Sequence, residues 1–326
     1  MSSQDTSSQN IPVIEQITAP QLLGVVWNWM LYGVLVVQFY VYSYNFLRDS
    51  RHIKLLVYSI FFLETVQTVL SGADLYYWFA AGFGNQDQLD ISFASSFDLQ
   101  ILGSVVSLCV QLFFVYRIRV LGRLSEKRSR WLCVMICLLS VTGALGAIAA
   151  GIISVWANQI ILGPLLVALD TTWIATNTLS DLLITSAMLY HLRRVWTKDG
   201  NLSNHALVSI VRLTIETNLV TTSVSIVSLV MIAVYPLQVY YMCPTYVLGK
   251  LYSNTLLASL NNRISIHDTY GTRGNVFDCQ VVSVPSSTCS EATKDTIILE
   301  TEKPQEDLMK QPVAETEIKE RVKYVV

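Results

Sequence analysis

The residues of this sequence best suited to chemistry are ionisable side chains that fall inside long apolar runs. They are Glu64, Asp170, Asp181, Arg212, Glu216 and Lys250. A charged group at membrane depth is costly, so such residues tend to face the interior of a helical bundle and mark ligand contacts, ion paths or proton relays. These six residues are therefore the first candidates for a functional site.

Polar residues close to these groups recur at helical spacing. In the fifth apolar run, Asp170, Trp173, Asn177 and Asp181 follow one another at intervals that place them on one helical face. The other two stripes are Gln100, Ser104, Ser107 and Gln111 in the third run and Lys250, Asn254 and Asn261 in the seventh. Three inward stripes would line a ligand cavity or form hydrogen bonds between helices, and the second is the simpler interpretation of any one stripe.

Two charge pairings follow from the same residues. Arg212 and Glu216 are four residues apart and can pair on one helical face, and we expect this pair to be buried and structural. Lys250 needs an acidic partner, for which Glu64, Asp181 and Glu216 are the candidates. The sequence does not choose among the three.

The elements that carry these residues are predicted to be membrane-spanning helices. Of the 326 residues, 52% are hydrophobic and only 14% are charged, which is typical of membrane proteins. Seven runs reach the length of about 20 residues that a spanning helix needs. They lie near residues 22–44, 54–78, 96–118, 131–154, 162–190, 207–235 and 238–261. We therefore predict an all-α membrane protein, a bundle of seven transmembrane helices.

The basic residues predict how this bundle is oriented. No lysine or arginine precedes Arg48, and the segments between runs two and three, four and five, and six and seven contain none. Cytoplasmic loops retain Lys and Arg, so the amino terminus should lie outside and the carboxyl terminus inside. The sequon at Asn201 then falls in a cytoplasmic loop and should stay unmodified.

Three regions follow from this topology. Residues 1–20 form a short extracellular segment, residues 21–263 the seven-helix domain, and residues 264–326 a disordered, acidic cytoplasmic tail. The tail contains a Ser/Thr-rich run at 284–291 that could be phosphorylated and bind a signalling partner. In run four, small residues recur every four positions over 142–151, which predicts tight packing inside the bundle or, alternatively, a dimer interface.

Several named chemistries fit the residues poorly. All four histidines lie in or beside predicted cytoplasmic loops and tail, so no metal site is expected. No phosphate-binding loop, nucleophile elbow or Cys-x-x-Cys pair occurs, so we expect no enzyme activity, no cofactor and no nucleic-acid partner. Lys250 in the seventh run suggests a retinal-binding protein, but Tyr246 stands where microbial rhodopsins have an aspartate. Tyr116-Arg117-Ile118 lacks the preceding acid of rhodopsin-like receptors.

Motifs near both ends of the predicted domain carry a family resemblance. They are Gly24, Trp27-Asn28, Tyr32-Gly33, the run 38–42, Asp49 and Lys54, then the runs 214–218 and 249–261. With these motifs the chain resembles a family of fungal, mainly basidiomycete, seven-span membrane proteins described only as a domain of unknown function. The resemblance implies an integral membrane protein with a variable cytoplasmic tail, and it draws attention to Glu216, Asn218, Lys250, Tyr252 and Asn254.

Three functions remain open at this point. The leading hypothesis is a receptor-like or sensory protein of the plasma membrane with a small-molecule ligand or a switchable polar network. A proton- or solute-coupled transporter or channel is the alternative, and a structural or assembly protein is the third. The candidate intramembrane site comprises Glu64, Gln111, Asp170, Asn177, Asp181, Glu216, Asn218, Lys250, Tyr252 and Asn254.

Overall fold

The computed structural model describes residues 11–47, 49–82, 96–122, 127–156, 159–198, 205–236 and 238–278. The chain divides into two compact units, Met1–Asn262 and Arg263–Val326. Over the described residues all regular secondary structure is helical, in agreement with the predicted all-α class.

Seven α-helices occur in these described ranges, and each of them contains most or all of one predicted span. They are α1 (Ile11–Asn45), α2 (Arg51–Tyr76), α3 (Gly103–Gly122), α4 (Lys127–Trp156), α5 (Gln159–Lys198), α6 (His205–Val234) and α7 (Met242–Asp278). Two π-helical segments, Tyr77–Ala81 and Ser96–Leu102, follow α2 and precede α3. A 3-10 turn, Val239–Tyr241, leads into α7. Pro244 lies in the first turn of α7, where its missing N–H removes no helical hydrogen bond.

Five of these helical stretches are long and apolar enough to cross a membrane, by length and composition. They are Thr18–Asn45, Arg51–Ala81, Phe97–Val120, Arg130–Val155 and Arg212–Val234. Helices α5 and α7 fall short of that measure. These are the two helices that carry the stripes with Asp170 and Asp181 and with Lys250 and Asn254, and these polar residues lower their mean hydropathy.

Helix α7 is longer than predicted. It continues to Asp278, so the expectation that a disordered tail begins at residue 264 is wrong for residues 264–278. The remainder of the predicted tail and the sequon at Asn201 lie outside the described residues.

Burial in the first unit is inverted relative to a water-soluble bundle. Large apolar side chains such as Val37, Phe62 and Leu145 are more than half exposed, while many polar side chains are fully buried. A lipid bilayer suits such a surface, because its chains are as apolar as the side chains that meet them. The apolar side chains of the described interior form three clusters, and all seven helices contribute to the largest of them.

Small residues let α4 approach α5 closely. A methyl group placed on Gly143 would lie 2.4 Å from Thr176 Oγ1, and one on Gly146 would lie 3.7 Å from the Leu169 carbonyl oxygen. Both neighbours belong to α5 of the same chain. These two glycines of the small-residue stretch thus serve packing within the bundle.

Amide side chains join the first helix to the last. Asn28 Nδ2 of α1 donates to the Tyr246 carbonyl oxygen at 3.0 Å. In the opposite direction, Asn254 Nδ2 donates to the Leu31 carbonyl oxygen at 3.1 Å and Asn261 Nδ2 to that of Gln38 at 2.9 Å. These three contacts define the α1–α7 seam, which fixes the rotation of α7 and so directs Lys250 towards α2.

Candidate functional site

A buried ion pair between α2 and α7 lies at the centre of the candidate site. The side chains of Lys250 and Glu64 are 0% and 1% exposed. Lys250 Nζ donates to Glu64 Oε2, to the Glu64 carbonyl oxygen at 2.9 Å and to Gln67 Oε1 at 3.0 Å. Because an ammonium group has three donors, all of them are used. Glu64 is therefore the partner of Lys250 that the sequence left open.

The second carboxylate oxygen and the aromatic neighbour complete the surroundings of this pair. Ser253 Oγ, one turn along α7, donates to Glu64 Oε1. The ring of Tyr32 in α1 lies with its centroid 5.3 Å from Lys250 Nζ, a cation–π distance. Tyr32 is held in place by its hydroxyl, 2.8 Å from Thr65 Oγ1 of α2. Three helices thus stabilise the charge of Lys250.

Asp181 of α5 is the centre of a second buried network. Its Oδ2 accepts hydrogen bonds from Tyr252 Oη of α7 at 2.6 Å and from Ser225 Oγ of α6 at 3.5 Å. Its Oδ1 accepts one from Gln111 Nε2 of α3 at 3.1 Å. Asn218 Nδ2 of α6 lies 3.4 Å from the Asp181 carbonyl oxygen and 2.7 Å from Thr185 Oγ1. This carboxylate therefore joins α3, α5, α6 and α7, and we call it the Asp181 hub.

Asp170 forms a third, smaller contact three turns earlier on α5. Its carboxylate accepts hydrogen bonds from Gln100 Nε2 at 2.8 Å and from Tyr241 Oη at 3.0 Å. Gln100 comes from the π-helical segment before α3, and Tyr241 from the 3-10 turn before α7. π-Helical turns, such as the one that contains Gln100, frequently occur at functional sites.

A small cavity lies between the ion pair and the Asp181 hub. Its volume is about 20 Å³, and its walls include Gln67, Ser107, Trp173, Asn177, Ser225 and Tyr252. A cavity needs roughly 10–15 Å³ by this measure to hold one water molecule. The space between the three stripes is therefore of the size of a water molecule or two, too small for a drug-sized ligand.

Nine of the ten predicted site residues lie in the interior of the bundle. Glu64, Gln111, Asp170, Asn177, Asp181, Asn218, Lys250, Tyr252 and Asn254 are all buried. Glu216 is the exception. It pairs with Arg212 at 2.9 Å, but their side chains are 55% and 74% exposed, so the expectation of a buried pair is wrong. Thr214 and Asn218, on either side of Glu216, face inward instead.

Three charged residues that the sequence analysis did not select also lie in the interior. Arg117 lies at the end of the third predicted run, yet its side chain is 3% exposed and donates to Thr214 Oγ1 of α6 at 2.9 Å and to Ser259 Oγ of α7. Asp74 and Asp98 are 0% exposed, near the end of α2 and before α3. Hydroxyl residues recur at helical spacing on α6 and α7, and this pattern could have indicated that a buried side chain such as that of Arg117 is bound between them.

Across the described ranges no three His, Cys, Asp or Glu side chains converge so that they could hold an ion. The site offers charge and hydrogen bonding, through a joined lysine and glutamate and a carboxylate shared by four helices.

Comparison with known proteins finds a family model that matches a part of the chain containing some of these residues. The model of a family of unknown function (DUF6534) matches residues 177–265, from Asn177 in α5 to the middle of α7. The match includes Asp181, Asn218, Lys250 and Tyr252 and leaves Glu64 outside, and it supports the resemblance to a domain of unknown function. Comparison with curated proteins and with solved structures found no match.

Proposed function

We propose that this chain is a seven-span sensory protein of the plasma membrane, without enzyme activity, in which the buried Lys250–Glu64 pair is the switch. The observation that carries the proposal is the pair itself, 0% and 1% exposed, between α2 and α7. Every donor of Lys250 is used within the protein, so the joined state is complete.

A buried ion pair is a poor device for stability alone. Removing two charges from water costs about as much as their attraction returns, and well-packed apolar residues often stabilise a protein as well or better. Ionisable residues at membrane depth are accordingly associated with function. A pair that can be joined or parted gives two states, and α7 is free to rotate against α2 only in the parted one.

Seven spans are supported by the helices that contain the seven predicted runs. Helices α5 and α7 are the less apolar ones, but their polar side chains point inward, where Asp181 and Lys250 are fully buried. Polar residues that face the bundle interior are compatible with spanning. In such a bundle the distribution of basic residues favours an outer amino terminus and a cytoplasmic tail.

The size of the cavity favours a switchable network over a deep ligand pocket. The cavity of about 20 Å³ has room for water or for an added proton, whereas drug-sized ligands occupy cavities of roughly 300–1,000 Å³. The stimulus therefore acts on the charges of the network, directly or through movement of the helices. A partner at the cytoplasmic tail would receive the signal, and phosphorylation of the run 284–291 would regulate it.

Hydrogen–deuterium exchange tests the switch in the full-length protein in lipid nanodiscs. The variant Lys250→Met/Glu64→Gln removes both charges and leaves no unpaired ion. A switch predicts that this variant alters exchange in α6 and α7 while keeping the helical content. Unchanged exchange throughout α6 and α7 would favour the structural role and contradict the sensory one.

A proton-coupled transporter is the second candidate, and one observation favours it. Four carboxylates, Asp74, Asp98, Glu64 and Asp181, are each 0–1% exposed, as a buried proton relay requires. Vesicles that contain the protein and a pH-sensitive dye distinguish the two proposals. Proton flux that disappears in Asp181→Asn supports transport, and absence of flux in the unaltered protein supports the sensor.

A further inference from the structure

We propose that the cavity between the ion pair and the Asp181 hub binds one ordered water molecule, which joins the two networks into a single hydrogen-bonded path. Its walls include two residues with buried donors that lack acceptors among the described residues and several residues with hydroxyl groups, and its volume is about 20 Å³. That the two networks switch together through this water rests on the proposed function. The water site itself rests on the geometry alone.

The first donor is the side-chain amide of Gln67. Its Oε1 accepts from Lys250 Nζ, and because an ammonium group can only donate, this contact fixes which amide atom is oxygen. Nε2 therefore points to the other side. It is buried and has no acceptor among the described residues, and Gln67 lines the cavity.

The second donor is the indole of Trp173 in α5. Its side chain is 6% exposed and lines the cavity, yet Nε1 meets no acceptor in the part of the chain that the structure describes. A buried N–H without a partner is rare in native proteins, and ordered water is a common solution. One water oxygen has two lone pairs and can accept from two such donors.

Acceptors for the protons of the water are present in the same walls. Four residues with hydroxyl groups, Ser107, Ser225, Thr245 and Tyr252, line the cavity. Ser225 and Tyr252 donate their own protons to Asp181, so their oxygen atoms remain available as acceptors. Buried water molecules typically make about three hydrogen bonds, which this set of groups can supply.

The position of the cavity gives the water its role. Gln67 contacts Lys250 directly, and Tyr252 contacts Asp181 directly. A water molecule between them extends a chain from Glu64 through Lys250 and Gln67 to Tyr252 and Asp181. A change at one network then alters hydrogen bonds at the other.

Two glycines in the cavity wall allow the water to be displaced without disturbing the rest of the fold. A methyl group on Gly249 of α7 would lie 3.8 Å from both amide atoms of Gln67, and one on Gly103 of α3 would lie 3.9 Å from the Asp98 carbonyl oxygen. Both distances are ordinary van der Waals contacts. Each alanine would reduce a space that holds only a water molecule or two, and alanine also favours the helix.

Radiolytic labelling in ¹⁸O-water tests the site in the full-length protein in nanodiscs. Hydroxyl radicals formed from a bound water oxidise the side chains beside it, and mass spectrometry reads the modification of Trp173. Trp78 is the internal reference, because it is similarly buried at 3% exposure and lies outside the cavity wall. We expect Trp173 to be modified faster than Trp78, and Gly249→Ala to reduce Trp173 to the level of Trp78.

Gly33→Ala is the matched control, since a methyl group there meets nothing within 4 Å and Gly33 is exposed on α1. It should leave the labelling of Trp173 unchanged, and Gly103→Ala repeats the test from the α3 wall. Equal labelling of Trp173 and Trp78 in the unaltered protein, or labelling of Trp173 that persists in both cavity variants, overturns the water site. Altered exchange in Lys250→Met/Glu64→Gln would still support the switch in that case.

Discussion

Lys250 and Glu64 are two charges that each depend on the other for burial. With Lys250→Met, the Glu64 carboxylate remains between α2 and α7 without its counter-charge. We expect this variant to lose about 3–5 kcal/mol of unfolding free energy, and Lys250→Met/Glu64→Gln to recover most of the loss. Denaturant unfolding in detergent micelles, followed by far-UV circular dichroism, measures both.

The exposed pair supplies the control for this prediction. Arg212→Met leaves Glu216 on the outside of the bundle, where its side chain is 55% exposed, and the expected loss is at most about 0.5 kcal/mol. Equal losses for Lys250→Met and Arg212→Met would mean that the Lys250–Glu64 pair is not desolvated.

Tyr252 and Tyr246 of α7 are both buried, and they differ in whether the hydroxyl group has a hydrogen-bond partner among the described residues. Tyr252 Oη donates to Asp181 Oδ2 at 2.6 Å, whereas Tyr246 Oη has no partner among the described residues. Tyr252→Phe should therefore lose about 1.5–3 kcal/mol of stability, and Tyr246→Phe should be neutral or stabilising. Thermal unfolding of the two purified variants in one detergent checks this, and the reverse ranking would contradict the Asp181 hub.

For individual residues, the sequence predicts which side chains face inward better than it predicts which partners they bind. The spacing of Asp170, Trp173, Asn177 and Asp181 by three, four and four residues identifies one helical face directly. The partner of Lys250 depends on the rotation of α7 against α2, which arises from the α1–α7 seam and not from any local pattern. Glu216 shows the limit of pairing rules, because a residue four positions from Arg212 can pair on any face of the helix.

Helices α4 and α5 are in close contact because their facing residues are small. Gly143→Ala would place a methyl group 2.4 Å from Thr176 Oγ1, so either the Thr176 side chain or one of the two helices must shift. Overpacking of this kind typically costs about 1–3 kcal/mol. We expect a lower unfolding temperature for Gly143→Ala. Differential scanning fluorimetry measures it, with a thiol-reactive dye or with intrinsic protein fluorescence.

Gly163→Ala is the matched substitution, because a methyl group at Gly163 of α5 meets nothing within 4 Å. It should be neutral or slightly stabilising, since alanine favours a helix over glycine by about 1 kcal/mol. An unchanged unfolding temperature in Gly143→Ala would show that Thr176 yields without cost.

The positions of the seven helices follow closely from the apolar runs. The polar residues of the runs explain where prediction and structure differ. Each of the seven runs lies largely or wholly within a helix, because a run of about 20 apolar residues satisfies its backbone only as a helix in lipid. Arg117 falls at the end of the third predicted run, where basic residues normally mark the surface of the membrane. In the structure, hydroxyl groups of Thr214 and Ser259 receive its side chain, and no pattern within the third run announces them.

For the whole molecule, the distribution of lysine and arginine predicts the sides of the membrane. With the proposed seven spans, an epitope tag after Val326 should bind antibody only in permeabilised cells, and a tag before Met1 should bind it in intact cells. Asn201 should carry no glycan, which glycosidase treatment and gel mobility would check. Labelling of the carboxyl-terminal tag on intact cells would contradict the proposed orientation.

The α1–α7 seam has a consequence for how the chain is made. Leu31 and Gln38 belong to α1, and Asn254 and Asn261, which bond their carbonyl oxygens, belong to α7. Lys250 of α7 is likewise the counter-charge of Glu64 in α2. The seam and the ion pair can therefore form only after α7 has been synthesised, and a nascent chain that has not yet reached α7 carries Glu64 without its counter-charge.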